Sequence, residues 1–139
     1  MFARNYKVRG EDVNDFMVMQ NFAYLSYASR LIEAYLMEKG FPQLKLNSLK
    51  IGWQKSNDQL KNKKHLMFTQ NFSARLNFGT NHQEDGIQTY IDFYNDKSEL
   101  VATIFTELYW IDYNNWECIP LPQKLQHLFV THSNYKYAV

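Results

Sequence analysis

The chain places its most reactive polar groups in one short stretch, Glu11-Asp12-Val13-Asn14-Asp15, immediately ahead of a long helical pattern. Carboxylates beside the start of a helix suit acyl chemistry. A carboxylate can attack a carbonyl or activate a water, and the unpaired backbone N–H groups of the first helical turn, with the positive end of the helix dipole, can hold the oxyanion that develops. The donors on offer here are those around Asn21 and Phe22. Asn14 holds a water or a carbonyl by hydrogen bonds but is neither a base nor an anionic nucleophile. The alternative for the whole stretch is a solvated acidic turn whose charge merely suits the helix dipole, and the residue types weigh the two about equally.

Other chemistries find less support. His65, His82, His127 and His132 show no metal-ligand spacing, so no metal site is expected. Cys118 is the single cysteine, has no histidine signature beside it, and makes an intrachain disulfide impossible. There is no phosphate-binding loop and no dinucleotide fingerprint. Lys61-Asn62-Lys63-Lys64-His65 is a basic cluster that could meet phosphates, although a charge run is more often a solvated loop. A net charge of +1 argues against general attraction to nucleic acid. The N-terminus lacks the apolar core of a signal peptide, and no apolar run reaches the ~18 residues of a membrane span, so a cytoplasmic protein without membrane contact is expected.

The elements that must position these residues follow from pattern. At 139 residues, 45% of them hydrophobic, the chain makes one domain spanning residues 1–139. Phe2 to Arg9 reads as a strand. From about Asn21 to Lys39 no Gly or Pro intervenes, and Phe22, Leu25, Ala28, Leu31, Ile32, Tyr35 and Leu36 recur at helical spacing. Gly40 and Pro42 supply the stop. The opposite side carries Tyr24, Tyr27, Ala34 and Met37, so the helix is expected to be wrapped on most sides. Leu44–Lys55 reads as a strand interrupted near Asn47-Ser48, followed by a Lys-rich polar loop. Leu66–Phe78 alternates with period two, Asp85-Gly86 signals a hairpin, and Ile87–Tyr94 follows as a strand. Leu100–Tyr113 is apolar on both faces, as a central strand would be, and a short C-terminal helix is expected over Gln123–Phe129. One long helix and about five strands, the last three antiparallel, make a two-layer α+β domain with the sheet curled around the helix.

From Asp12 to Tyr27 the sequence resembles the hotdog-fold acyl-CoA thioesterases of the 4-hydroxybenzoyl-CoA type. Their signature, close to D-x-D-x-x-G-H-V-x-N-x-x-Y-L-x-Y, aligns here without a gap. Asp12, Asn21, Tyr24, Leu25 and Tyr27 match it; Asn14 stands where the family has its catalytic Asp, Met17-Val18 replaces Gly-His, and Ser29 replaces a Glu in the helix. The resemblance implies a hotdog fold and a homodimer or dimer of dimers with its active site at the subunit interface. It implies hydrolysis of an acyl-CoA or acyl carrier protein thioester, with coenzyme A entering only as part of the substrate. Carried over residue by residue, it puts Asn14 at the catalytic position and Asn21 and Tyr24 at matching substrate-binding positions. Asp15 and Asp12 are the neighbouring acids that could assist as catalytic candidates, Asp12 at a position read as structural, and Phe22 joins the substrate-binding candidates through the helix N-terminus. Packing is the more common role for Tyr24 and Tyr27. The second reading is a non-catalytic hotdog protein that binds acyl thioesters, or pairs in a larger assembly, without the catalytic Asp.

Overall fold

The computed structural model describes residues 2–79 and 86–129. Strand β1 (Phe2–Lys7) leads through a single 3-10 turn, Gly10–Asp12, into helix α1 (Asn21–Glu38). A short helix α2 (Gln43–Ser48) follows, then strands β2 (Ile51–Asn62), β3 (Asn71–Phe78), β4 (Ile87–Asn95), β5 (Leu100–Asp112) and β6 (Glu117–Ile119), and a closing 3-10 helix, Gln123–Phe129. The six strands form one antiparallel sheet in the order β1-β3-β4-β5-β2, with β6 pairing to β5. β6 meets β5 at Trp110 to Asp112, beyond the point where β4 ends against Leu108.

Helix α1 forms where the pattern put it. It buries Ala23, Tyr24, Tyr27, Ala28, Leu31, Ile32, Tyr35 and Leu36. Gly40 sits at φ 93, its N–H bonded to the Met37 carbonyl, while the Phe41 N–H reaches the Leu36 carbonyl at 2.8 Å. Those two bonds close the helix in a Schellman motif, which favours a residue free of a Cβ at that position. The buried face differs from the expected one. Tyr24 and Tyr27 point inward and Phe22 outward, 60% exposed. The inner layer of the sheet meets the helix with rings: Tyr24 packs edge-on against Phe93 and Tyr27 against Phe72, with centroids 5.2 and 5.0 Å apart. Phe72, Ala74 and Leu76 line up with Phe93 and Ile91 across β3 and β4, and Ile91 continues to Ile104 on β5, to complete the core.

Three segments depart from the sequence reading. Gln43–Ser48 is helical rather than extended, entered from Pro42, whose fixed φ of −65° suits a helix start. The Lys-rich stretch expected as a loop is the second half of β2. It is polar because β2 is an edge strand with little to bury, and the pairing slips at Ser56–Gln59, where Asn57 takes φ 58. Leu66–Gln70 is not part of β3. It crosses over the start of α1, with Leu66 fully buried and its carbonyl accepting the Met19 N–H at 2.8 Å, and Thr69 at φ 74 turns the chain into the strand. The short β6 carries no periodic signal and was not expected. Asp85 of the anticipated hairpin lies outside the described residues, as do His82 and His132.

Candidate active site at the start of the central helix

The chain approaches α1 through a small hairpin. Val13 bridges Met19 and Val18 bridges Met67, so residues 14–18 form a loop pinned at its base. Asn14 organises that loop. Its Oδ1 accepts the N–H groups of Phe16 (2.9 Å) and Val18 (3.1 Å), and its carbonyl accepts the Met17 N–H at 2.9 Å. Met17 is held at φ 65 as a result. The carboxamide thus does the structural work of an Asx turn with one oxygen.

Beside this loop lies a cleft of 390 Å³ lined by Asn14, Val18, Met19, Gln20, Asn21, Phe22, Asn62 and His65. Gln20 caps the helix without a side-chain cap bond, its Nε2 donating instead to the Val18 carbonyl at 3.0 Å. The Ala23 and Tyr24 N–H groups turn back to the Gln20 carbonyl, which leaves those of Asn21 and Phe22 without a backbone acceptor among the described residues. Asn62, from the end of β2, donates from Nδ2 to Asn21 Oδ1 at 3.0 Å and ties strand to helix. The cleft therefore offers two helix N–H donors, carboxamides and one imidazole, in the field of the positive end of an 18-residue helix.

Of the residues singled out in the sequence, Asn14, Asn21 and Phe22 come together here. Asp12, Asp15 and Tyr24 do not line the cleft. Asp12 is buried, and its Oδ2 accepts the Tyr27 hydroxyl (2.6 Å) and the Arg9 N–H (2.9 Å), which makes it the brace of the 3-10 turn. Burial, with the Asp12 carboxylate adding to it, pushes the Tyr27 hydroxyl up to about 12. Tyr24 is core, 1% exposed, and burial raises its hydroxyl pKa. Asp15 is exposed on the loop. Gln20 was missed in the sequence, and Asn62 and His65 were singled out only within a basic cluster that could meet phosphates, not as neighbours of the helix start. Asn62 and His65 belong to the stretch read as a solvated loop, and only the strand pairing of β2 reveals that it runs back to the helix start.

A larger groove, 680 Å³, lies on the other side of α1 and is lined by Tyr6, Lys7, Arg9, Tyr27, Arg30, Ser73 and neighbours. Arg30 lies over the rings of Tyr27 and Tyr6 there, 4.9 and 5.5 Å from their centroids. The start of α1 does not line this groove among the described residues; it lines the smaller cleft. Among the described residues, no group of three or more His, Cys, Asp or Glu side chains is placed to hold a metal. No helix among them is long and apolar enough to cross a membrane.

The model of the thioesterase-like superfamily matches residues 8–129. The chain belongs to that superfamily. Solved structures agree on the fold. A hypothetical protein from Staphylococcus aureus, determined in complex with CoA, superposes with a TM-score of 0.84 at 11% identity, over 97% of this chain and 89% of that one. A gentisyl-coenzyme A thioesterase gives 0.79 at 17% identity, over 89% and 98%. A 1,4-dihydroxy-2-naphthoyl-CoA thioesterase from Synechocystis gives 0.80 at 15% identity, over 91% and 93%. Comparison with curated proteins finds no match. The long helix and curved antiparallel sheet of this thioesterase-like chain are the hotdog arrangement, and its cleft lies at the segment where the family signature falls.

Proposed function

We propose that this thioesterase-like protein hydrolyses an acyl-CoA thioester to acid and thiol in the cleft at the start of α1. The observation that carries the reading is the pair of N–H groups at Asn21 and Phe22, open at the helix terminus inside a polar cleft. A thioester carbonyl seated against them would gain donors that strengthen as the oxyanion forms. Asn14, fixed by its two backbone bonds through Oδ1, has its Nδ2 left to orient a water or the substrate carbonyl. Asp15, its chain neighbour, is the carboxylate we propose to assist from the exposed side of the loop. Lys61 and Lys63 follow the cleft rim in sequence and suit the phosphates of coenzyme A, which enters only with the substrate; an acyl carrier protein is the alternative carrier. β2, paired on one side by β5 and with twelve residues of edge on the other, suits edge-to-edge pairing of two copies around the site. A cytoplasmic location, where thiols stay reduced, accords with a lone exposed cysteine.

Free-thiol release from a panel of acyl- and aroyl-CoA esters tests this, with wild type and Asn14→Asp run side by side. Turnover by the wild type on at least one ester is expected, with Asp15→Asn lowering it. The substitution Asn14→Asp should raise turnover, because the new carboxylate keeps the Oδ1 bonds and adds an anionic oxygen at the cleft. Silence from both proteins across the panel would remove hydrolysis of CoA esters.

A second reading has its own support: no carboxylate lines the cleft among the described residues. A protein that binds acyl thioesters without cleaving them would show saturable binding of acyl-CoA by calorimetry, no thiol release by the wild type, and release by Asn14→Asp.

A further inference from the structure

We propose that His65 is the proton acceptor of the cleft, an assignment that rests on the hydrolase reading above. Of the eight lining residues it alone has a titratable side chain; the others are carboxamides or apolar. Hydrolysis needs a group that takes a proton from water as the C–O bond forms, and neither Asn14 nor Asn21 can do so. Imidazole can, and it is the side chain whose ordinary titration falls in the neutral range.

The main chain on both sides of His65 is anchored. On one side, the Lys63 and Lys64 N–H groups both bond to the Val101 carbonyl, at 2.8 and 3.1 Å, and the Lys64 ammonium pairs with Glu99 at 2.6 Å. On the other, Leu66 is fully buried and bonded through its carbonyl to Met19. The residue between these anchors is exposed and lines the cleft together with Asn62 and the first residues of α1. The charged groups beside it in the chain are Lys63 and Lys64, with Lys61 at the end of β2, and the first turn of α1, which shares the cleft, brings no acid. Lys64 is engaged by Glu99.

The step balances within the cleft. The imidazole nitrogen takes one proton from water as the water oxygen bonds to the thioester carbon, and the carbonyl electron pair moves onto oxygen, facing the Asn21 and Phe22 N–H groups. When that pair returns, the C–S bond breaks. The imidazolium gives its proton to the departing sulfur, leaving acid and thiol.

The test is thiol release by the wild type, His65→Gln and His65→Ala over about pH 5 to 9, the span of imidazole titration. The exposed side chain fills no core, so both variants should keep the wild-type melting temperature. Expected is a wild-type kcat that rises with pH through one ionisation. His65→Gln should lose about 10²- to 10⁴-fold in kcat with little change in KM, and should lose that pH step. Added imidazole should restore turnover to His65→Ala and leave the wild type unaffected. A His65→Gln enzyme with wild-type kcat and pH profile would overturn the assignment while leaving hydrolysis intact. A wild type that cleaves no thioester overturns both.

Discussion

Asp12 and Asn14 sit two positions apart, one in the 3-10 turn and one in the 14–18 loop, and carry side chains that differ by one heavy atom, yet their surroundings give them opposite tasks. Asp12 is spent on the fold, because its Oδ2 is shared between the Tyr27 hydroxyl and the Arg9 N–H. Tyr27→Phe removes the shorter of those bonds and leaves a buried carboxylate with one protein donor, so a loss of about 1–3 kcal/mol is expected in chemical denaturation. The same pair makes stability depend on alkaline pH. The Tyr27 hydroxyl is raised from 10.0 to about 12 in the folded protein, so folding favours the protonated form. Its contribution is complete below pH 10, where the unfolded chain also keeps the proton, and is lost as pH climbs from 10 to 12. A melting-temperature series across that window should fall less steeply for Tyr27→Phe than for the wild type, and equal slopes would show that this hydroxyl does not carry the dependence.

At the scale of elements, α1 and β2 are joined by more than apolar contact. Lys55, on the first half of β2, donates from Nζ to the Leu25 carbonyl at 3.2 Å and faces the Asp58 carboxylate at 3.5 Å. Asp58 in turn accepts from the Thr106 hydroxyl of β5. Lys55→Met should destabilise by about 1–3 kcal/mol, since it strands a partly buried carboxylate. Adding Asp58→Asn to it should cost less than the two single losses summed, in a double-mutant cycle read by urea midpoint. This brace explains much of what the sequence did and did not disclose. α1 was legible because eighteen residues without Gly or Pro repeat one period and end on a glycine that only a left-handed turn requires. β5 was legible because both of its faces are apolar. β2 was legible only as far as Lys55, because beyond it an edge strand that trades periodicity for Asp58 and Asn62 looks like a solvated loop. The cleft suffered accordingly: Asn14, Asn21 and Phe22 could be found from the signature, whereas Asn62 and His65 depend on where β2 ends.

For the whole molecule, the distribution of exposed apolar side chains bears on assembly. Phe16 is 81% exposed and Met17 51%, on the loop beside the cleft, and Met67 and Phe68 adjoin them through the Val18–Met67 bridge and the bond from the Phe68 N–H to the Met17 carbonyl. Such a patch next to a site is the surface on which the proposed pairing of two copies can be tested. Sedimentation is expected to give about 33 kDa, twice the 16.6 kDa of one chain. Phe16→Asp should shift the protein toward the smaller species at micromolar concentration and lower turnover with it; a variant that stays at the larger mass would separate this patch from the contact between copies.

The four carboxamides of the cleft also make time a chemical variable for this protein. Asn14, Gln20, Asn21 and Asn62 line it side by side. Carboxamides hydrolyse slowly to carboxylates, faster in alkaline buffer. In most proteins such ageing blunts a site, but here it would install anionic oxygens in front of the open helix terminus. At Asn14 the usual route, attack by the Asp15 main-chain nitrogen, would also reroute the backbone of the turn that its Oδ1 supports. Freshly made and long-stored samples of one sequence would then be two different molecules at the cleft, and intact-mass spectra of the two, which should differ by about 1 Da per converted carboxamide, would show it.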